Sequence, residues 1–270
     1  MRLRIKFRKY GPVRYTGHLD VMRFFQKAIR RAQIDVVYTN GFSPHQVMAF
    51  AAPLGVGLTS NGEYMDIEVH SIVSCQDVLE RLNAASVPGI EVISVKVLPE
   101  GAGNAMASVA AAAYTVRFRE GREPVTDIRA ALPAFLARKE ILITKETKKG
   151  AREVDIRPGI YQLTMEEHSM EEGHSMEEKH SMENEAFMER HRSVTIHMLV
   201  DASSGGNIKP VQVIEALLAE HEERLQENAL IITREEVYME EERPMEERHS
   251  MDIGTSERIL VALDEIGTVC

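Results

Sequence analysis

The chain has 270 residues, of which 44% are hydrophobic and 27% are charged, and it carries a formal net charge of −10, values typical of a globular protein with room for two domains. Its two cysteines, Cys75 and Cys270, exclude a disulfide framework, a four-thiolate zinc site and a cysteine-ligated iron–sulfur cluster. No apolar run is long enough to span a bilayer and the start lacks a signal-peptide core, so we expect a cytoplasmic protein.

The positive charge is concentrated at the start of the chain. Residues 1–31 contain ten lysines and arginines against one acid, Asp20, although the chain as a whole is acidic. A charge split of this kind predicts a surface that binds an anion, and a nucleic-acid backbone is the first candidate.

The first 98 residues predict the order strand, helix, strand pair, helix, strand. Period-two alternation of apolar and polar residues indicates the strands, and apolar residues at helical spacing indicate the helices. The predicted elements are strands over 3–10 and 90–97, strands within 34–69, and helices over 18–32 and from about residue 74. This order is typical of the split βαβ, or ferredoxin-like, unit.

The same plan recurs in the second half of the chain. A linker over 99–112, rich in alanine and glycine, leads to a second unit over 113–240 with an extra strand. We therefore predict an α+β protein of two tandem ferredoxin-like (βαββαβ-type) domains, the second a variant. A repeat of the HSMEE type lies within 165–192, which we expect to be a disordered acidic insertion, and 241–270 forms a C-terminal tail.

The first predicted helix carries a row of cations. Arg23, Lys27, Arg30 and Arg31 share the face opposite its apolar stripe. Four like charges on one face repel one another, which costs stability unless an anion covers them. We predict that they contact phosphates in a sequence-independent, salt-sensitive manner, the alternative being a solvated charged face.

The loop after this helix gathers residues suited to recognition. Asn40 begins an Asn-Gly turn, and Phe42 is either a core plug or a stacking platform for a base. His45 follows in the same loop, and His18 lies in the first turn of the helix. The two histidines are the candidate acid and base for metal-independent RNA cleavage, against the alternatives of a packed imidazole and a rigid loop.

The second half adds a smaller basic cluster. Lys148 and Lys149 form a turn, and Arg152 and Arg157 follow on the next predicted strand. We predict that these four side chains contact nucleic acid or a partner. Pairing of Arg157 with acidic neighbours on its own strand face, or a polar contact with the first domain, remains an alternative.

Three stretches together resemble a bacterial family known as the radical-SAM-linked proteins. They are YTGHLDVMRFFQKAIRRA at 15–32, YTNGFSPHQVMAFAAPLGVGLTSNGEYMDIEV at 38–69 and KKGAREVDIRP at 148–158. The family is a domain of unknown function, found alone or fused to B12-binding radical S-adenosylmethionine (SAM) enzymes. The resemblance implies a role in RNA or tRNA metabolism, including tRNA modification.

The resemblance also implies where the cofactors lie. The chain lacks the three-cysteine motif of the catalytic partner, so we expect no cofactor or metal on it. The partner radical SAM enzyme is expected to carry an iron–sulfur cluster, S-adenosylmethionine and, in some members, cobalamin. We expect the chain to bind RNA or tRNA through its basic helix and to present it to that enzyme, without membrane contact and without activity of its own. The alternatives are an endoribonuclease using His18 and His45, and a protein-only adaptor of the radical SAM enzyme.

Overall fold

The computed structural model describes residues 1–147, 150–168, 193–244 and 256–270 and shows a mixed α+β fold with few helices and a mostly antiparallel sheet. These residues form two compact units. The first comprises Met1–Ala113, Asp201–Asn207 and Thr233–Cys270, and the second comprises Tyr114–Val200 and Ile208–Ile232.

The elements follow one another along the chain as strands with interspersed helices. The strands are β1 (Arg2–Lys9), β2 (Asp35–Val36), β3 (Met48–Phe50), β4 (Thr59–Ser71), β5 (Ile90–Val97), β6 (Ala111–Phe118), β7 (Leu142–Thr147), β8 (Gly150–Asp155), β9 (Ile160–His168), β10 (Ser193–Asp201), β11 (Leu230–Pro244) and β12 (Ser256–Ala262). The α-helices are α1 (His18–Arg31), α2 (Cys75–Ala84), α3 (Ala105–Ser108), α4 (Ile128–Leu136) and α5 (Pro210–Ala219). None of these described helices is both long and apolar enough to cross a bilayer.

In the first unit, β1 lies between β5 and β4 and is antiparallel to both. Its alternation places Leu3, Ile5 and Phe7 in the hydrophobic core, where they are buried with the apolar residues of α1 and α2. The short strands β2 and β3 pair with the far side of β4. The predicted order of strands and helices over the first 98 residues is thus present, except that three strands, β2, β3 and β4, lie where a strand pair is predicted.

The segment predicted as a linker is part of the first unit. It contains the short helix α3, whose first residue, Ala105, is completely buried. The backbone N–H of Ala105 donates to the carboxylate of Asp66 on β4, at 3.0 Å. The alanine and glycine content that suggests a linker instead permits close packing, because small side chains let this backbone approach the sheet.

The residues predicted as a C-terminal tail also form structure in the first unit. β11 extends to Pro244 and pairs with β12 in antiparallel fashion. Beyond β12, Thr268 forms an isolated bridge with Val97 of β5. The last residue, Cys270, is joined to Cys75 in a disulfide with a Cα–Cα distance of 5.2 Å. The sequence excludes a framework of several disulfides, but no local pattern in it indicates that its two distant cysteines pair.

The second unit contains the sheet order β6–β10–β9 and a separate hairpin, β7–β8. Helix α4 begins after Asp127, whose carboxylate accepts from the backbone N–H groups of Arg129 and Ala130, as expected for an N-cap. β9 and β10 pair from Ile160 to His168, which includes the first residues of the predicted insertion. The rest of that insertion, residues 169–192, lies outside the described residues.

Candidate nucleic-acid interface

Helix α1 separates an apolar face from a cationic one, as its sequence predicts. It begins at His18 after the N-cap Gly17, and its buried residues are Val21, Phe25, Ala28 and Ile29. The opposite face exposes all four predicted cations, which are Arg23, Lys27, Arg30 and Arg31. Their surroundings, however, differ.

Three of the four cations are available at the surface. Arg23 lies 3.5 Å from Asp20, but both side chains are about two-thirds exposed, at 67% and 63%, so this pair is weak. Lys27 forms no ion pair with any described residue. Arg30 donates from Nε to the carbonyl of Gln26 at 3.3 Å, a contact within its own helix that leaves its charge without a counter-ion among the described residues.

Arg31 has a structural partner instead. Its Nη2 donates to the carbonyl oxygen of Ala85 at 2.7 Å, and Ala85 is the C-cap of α2. A cation at this position satisfies a free carbonyl and opposes the negative end of the helix dipole. The phosphate-contacting role predicted for Arg31 is therefore left out of the interface proposed below.

Three of the five cations of β1 are held inside the first unit. Arg4 is completely buried and forms two bonds to the carboxylate of Asp66, at 2.8 and 2.9 Å. Lys6 pairs with Glu236 at 2.5 Å. Lys9 donates to the carbonyl of Thr16 at 2.7 Å, and burial lowers the pKa of the Lys9 amine. The ten cations of residues 1–31 are thus not one surface, because Arg4, Lys6 and Lys9 are paired or buried, whereas Arg8 is exposed and only weakly paired with Glu91.

The loop at 40–46 is braced by its own backbone and side chains. The N–H of Thr39 donates to the carbonyl of His45 at 2.8 Å, and the N–H of His45 donates to Oγ1 of Thr39 at 3.1 Å. Gly41 has a φ of +121°, which favours glycine, and Asn40 is exposed beside it. The side chain of Phe42 is fully exposed, at 111% of its reference area. The core-plug interpretation of Phe42 is therefore wrong.

Gln46 joins this loop to the cationic helix. Its Nε2 donates to the carbonyl of Gln26 at 3.2 Å, and this is the same oxygen that accepts from Arg30. The base of the Phe42 loop therefore lies beside the guanidinium of Arg30. The sequence does not predict this role for Gln46, because it depends on a contact 20 residues away that no local pattern marks.

The two histidines have different environments. The ring of His18 packs edge-to-face on Phe50, with centroids 5.1 Å apart. His45 is exposed, and its Nδ1 lies 3.0 Å from Oγ1 of Thr39 and 3.4 Å from the carbonyl of Ser43. These contacts give His18 a packing role and His45 a loop-bracing role. General acid–base catalysis by either stays a prediction.

The four basic residues of the second unit that are predicted to contact a ligand differ in their surroundings. Arg152 is exposed on β8. Arg157 donates to the carbonyls of Leu136 and Ile160 at 3.0 to 3.3 Å, so it fixes the end of α4, and we leave it out of the proposed interface. Lys148 and Lys149 lie outside the described residues. Among the residues that the structure describes, no group of three or more His, Cys, Asp or Glu is placed to hold a metal ion.

A family model described as "Uncharacterized protein conserved in bacteria (DUF2344)" matches residues 2–210. The match contains α1, the 40–46 loop and the predicted basic residues of the second unit, and it extends well beyond the stretches that suggested a resemblance. It confirms a bacterial domain of unknown function, whereas a link to radical SAM enzymes stays a prediction. A search of curated proteins finds no match.

Proposed function

The chain belongs to this bacterial DUF2344 family, and from that premise we propose that it is an RNA-binding protein. The proposed contact surface is the outer face of α1 together with the loop at 40–46. The observation that carries the proposal is the exposure of Arg23, Lys27 and Arg30 on the helix that the base of that loop contacts, while Arg4, Lys6 and Lys9 of β1 are satisfied internally.

Electrostatics favour an anionic ligand at this surface. Residues three and four apart on a helix are neighbours, so the like charges of Arg23, Lys27 and Arg30 repel one another in the free protein. A phosphate backbone relieves this repulsion and releases its own counter-ions on binding. The exposed pair with Asp20 is too weak to replace such a ligand.

The opposite side of the sheet supports the same choice of surface. RNA-recognition motifs bind bases on an open sheet face. Here the corresponding face of β1 contains the buried Arg4–Asp66 pair, and Arg4 also donates to the carbonyl of Leu263 in the C-terminal segment, at 2.7 Å. Because that face is covered, the helical side remains for RNA. The strand order β5–β1–β4 with α1 and α2 on one side supports a ferredoxin-like first unit as part of this proposal.

The resemblance to radical-SAM-linked proteins supports a further part of the proposal. The chain would present its RNA, with tRNA as the first candidate, to a separate cytoplasmic radical SAM enzyme. That enzyme would supply the iron–sulfur cluster, S-adenosylmethionine and, in some members, cobalamin. In this arrangement the chain contributes binding rather than catalysis.

Fluorescence anisotropy with labelled bulk bacterial tRNA tests the RNA-binding proposal. We expect R23E/R30E to weaken binding at least about tenfold, because a charge reversal replaces phosphate attraction by repulsion. The matched control is K139E/R224E, which makes the same charge change at exposed cations of the second unit. Wild-type affinity in R23E/R30E, or equal losses in both variants, would reject the proposed surface.

The same preparations distinguish the alternatives. Co-purification with a radical SAM enzyme, without any affinity for RNA, would identify a protein-only adaptor. RNA cleavage that His45→Ala abolishes would identify the endoribonuclease. Either result replaces the proposal above.

A further inference from the structure

We infer that this surface recognises unpaired nucleotides, with Phe42 as the stacking platform for a base of single-stranded RNA. The inference rests on the proposed function and specifies its substrate class. It specifies that the RNA bound by the cations of α1 is single-stranded and not a duplex.

Phe42 is exposed, in contrast to the phenylalanines that form the core of the first unit. Phe7, Phe25 and Phe50 are at most 7% exposed and pack against one another. The side chain of Phe42 is not buried at all and so gains no hydrophobic stabilisation from the fold. A single exposed apolar side chain needs no explanation by itself, so its presentation and its neighbours have to carry the argument.

The loop that carries Phe42 is closed at its base by hydrogen bonds. The bonds between Thr39 and His45 close the loop across its base, and a bridge between Tyr38 and Gln46 continues the pairing. Tyr38 is itself 46% exposed at this base. A loop that is already closed at its base loses less backbone conformational freedom when a ligand stacks on its ring, so binding is more favourable than for an open loop.

The base of the Phe42 loop and the cationic face of α1 meet at one backbone carbonyl oxygen. Gln46 and Arg30 donate to the same carbonyl oxygen of Gln26, which joins the foot of the Phe42 loop to the cationic face. Arg23 is three residues before Gln26 and therefore on the same side of the helix. An aromatic ring beside a row of cations is how proteins bind single strands, because the ring takes a base while the cations take phosphates.

A duplex cannot use this arrangement fully. Its bases are stacked on one another and expose only their edges in the grooves, so a protruding ring finds no base face. A duplex would still bind through its phosphates. Binding of a single strand should therefore depend on Phe42, and binding of a duplex should not. Binding of both should depend on Arg23 and Arg30.

Three labelled probes of about 12 units, within the site sizes of single-strand binding domains, test the inference by anisotropy. They are a mixed-sequence single-stranded RNA, the same strand annealed into a duplex, and a fully abasic ribose-phosphate chain. We expect Phe42→Ala to weaken binding of the single strand about tenfold and to leave the duplex and the abasic chain unchanged. Phe42→Tyr retains the ring and should bind like wild type.

The control for general surface effects is Val73→Ala, since Val73 is also highly exposed in the first unit, at 86%. We expect Val73→Ala to bind all three probes like wild type and to have the same melting temperature as Phe42→Ala. If Phe42→Ala binds the single strand normally, or weakens all three probes equally, the inference is wrong, and R23E/R30E then shows whether the proposed function stands. If wild-type protein binds tRNA but none of the three probes, the inference alone fails, and if it binds neither tRNA nor any probe, both fail.

Discussion

Arg31 and Arg81 each donate a hydrogen bond to the carbonyl oxygen that ends the other's helix. Arg31 of α1 donates to Ala85, the C-cap of α2, at 2.7 Å, and Arg81 of α2 donates from Nε to Ala32, the C-cap of α1, at 2.8 Å. Each cation satisfies a carbonyl without a helical partner and opposes the negative end of a helix dipole. The two helices are thus fastened at their C-terminal ends by a reciprocal pair of arginines.

This arrangement predicts that the two arginines stabilise the fold unequally. Arg81 is half-buried and also pairs with Asp77 at 3.0 Å, whereas Arg31 is exposed and has one such bond. We expect Arg81→Ala to lower the free energy of unfolding by about 1–2 kcal/mol and Arg31→Ala by about 0.5 kcal/mol, measured by urea denaturation. RNA affinity should stay within about twofold of wild type in Arg81→Ala, and equal stability of the two variants would contradict the assignment.

A second prediction concerns the buried ion pair of Arg4 and Asp66. Both side chains are almost completely buried, at 0% and 5% exposure, so removing one partner leaves the other charge without compensation. We expect Asp66→Ala to cost about 3–5 kcal/mol of unfolding free energy, measured by denaturation with far-ultraviolet circular dichroism.

The control for this pair is the double variant Arg4→Met with Asp66→Leu, which removes both charges and retains the volume. We expect it to be more stable than Asp66→Ala, since replacing a buried pair by apolar residues is often nearly neutral. A double variant that is less stable than the single one would show that the bond from Arg4 to Leu263 matters more than the pair.

A third prediction follows from the pKa of Tyr64. Its hydroxyl donates to Glu236 at 2.6 Å and lies 3.1 Å from a carboxylate oxygen of Asp264, and burial together with these carboxylates raises its pKa far above the ordinary value. The unfolded chain therefore releases this proton near pH 10 while the folded chain retains it. Wild-type stability should fall above about pH 10, by up to about 1.4 kcal/mol per pH unit.

Tyr64→Phe lacks the titrating group and isolates this effect. We expect the variant to be about 1–2 kcal/mol less stable than wild type near pH 8, because the carboxylate of Glu236 loses its donor. The difference should narrow as the pH rises toward about 11, since other titrating groups cancel in the comparison. Urea denaturation of both proteins across this range is the measurement, and a constant difference would contradict the prediction.

Local periodicity predicts the outer face of α1 well, and distant contacts explain what it misses. The spacing of apolar and charged residues within one helix predicts that the face with Arg23 and Lys27 is exposed to solvent. The fate of Arg4 depends on Asp66, 62 residues away, and on Leu263, 259 residues away. No pattern within the N-terminal segment contains that information. The sequence therefore shows that the segment is rich in cations, but not which of them have partners inside the fold.

The same reasoning applies to the C-terminal segment. After residue 244 the sequence shows a repeat-like stretch and then only a short apolar run, which is too brief to indicate a strand by itself. The position of β12 is determined by pairing with β11, and Thr268 is held by Val97. Both contacts are long-range, and they place the last residue beside the N-terminus of α2.

The last prediction concerns the disulfide between Cys75 and Cys270. It closes a loop with a sequence separation of 195 residues, and such a cross-link stabilises a fold mainly by restricting the unfolded chain. We expect reduction with dithiothreitol to lower the free energy of unfolding by about 2–4 kcal/mol. Hydrogen exchange should then increase at Thr268 and at Val97, because their bridge loses its covalent anchor.

The matched variant is Cys270→Ser, which removes the bond and leaves the chain length unchanged. Its stability should equal that of the reduced wild type, and dithiothreitol should have no further effect on it. Thiol trapping in rapidly quenched bacterial cells adds a test of location, since a disulfide is uncommon in a reducing cytosol. Free thiols in cells, with a disulfide only after purification, would agree with the predicted cytoplasmic location, whereas a fully formed bond in cells would favour an oxidising compartment.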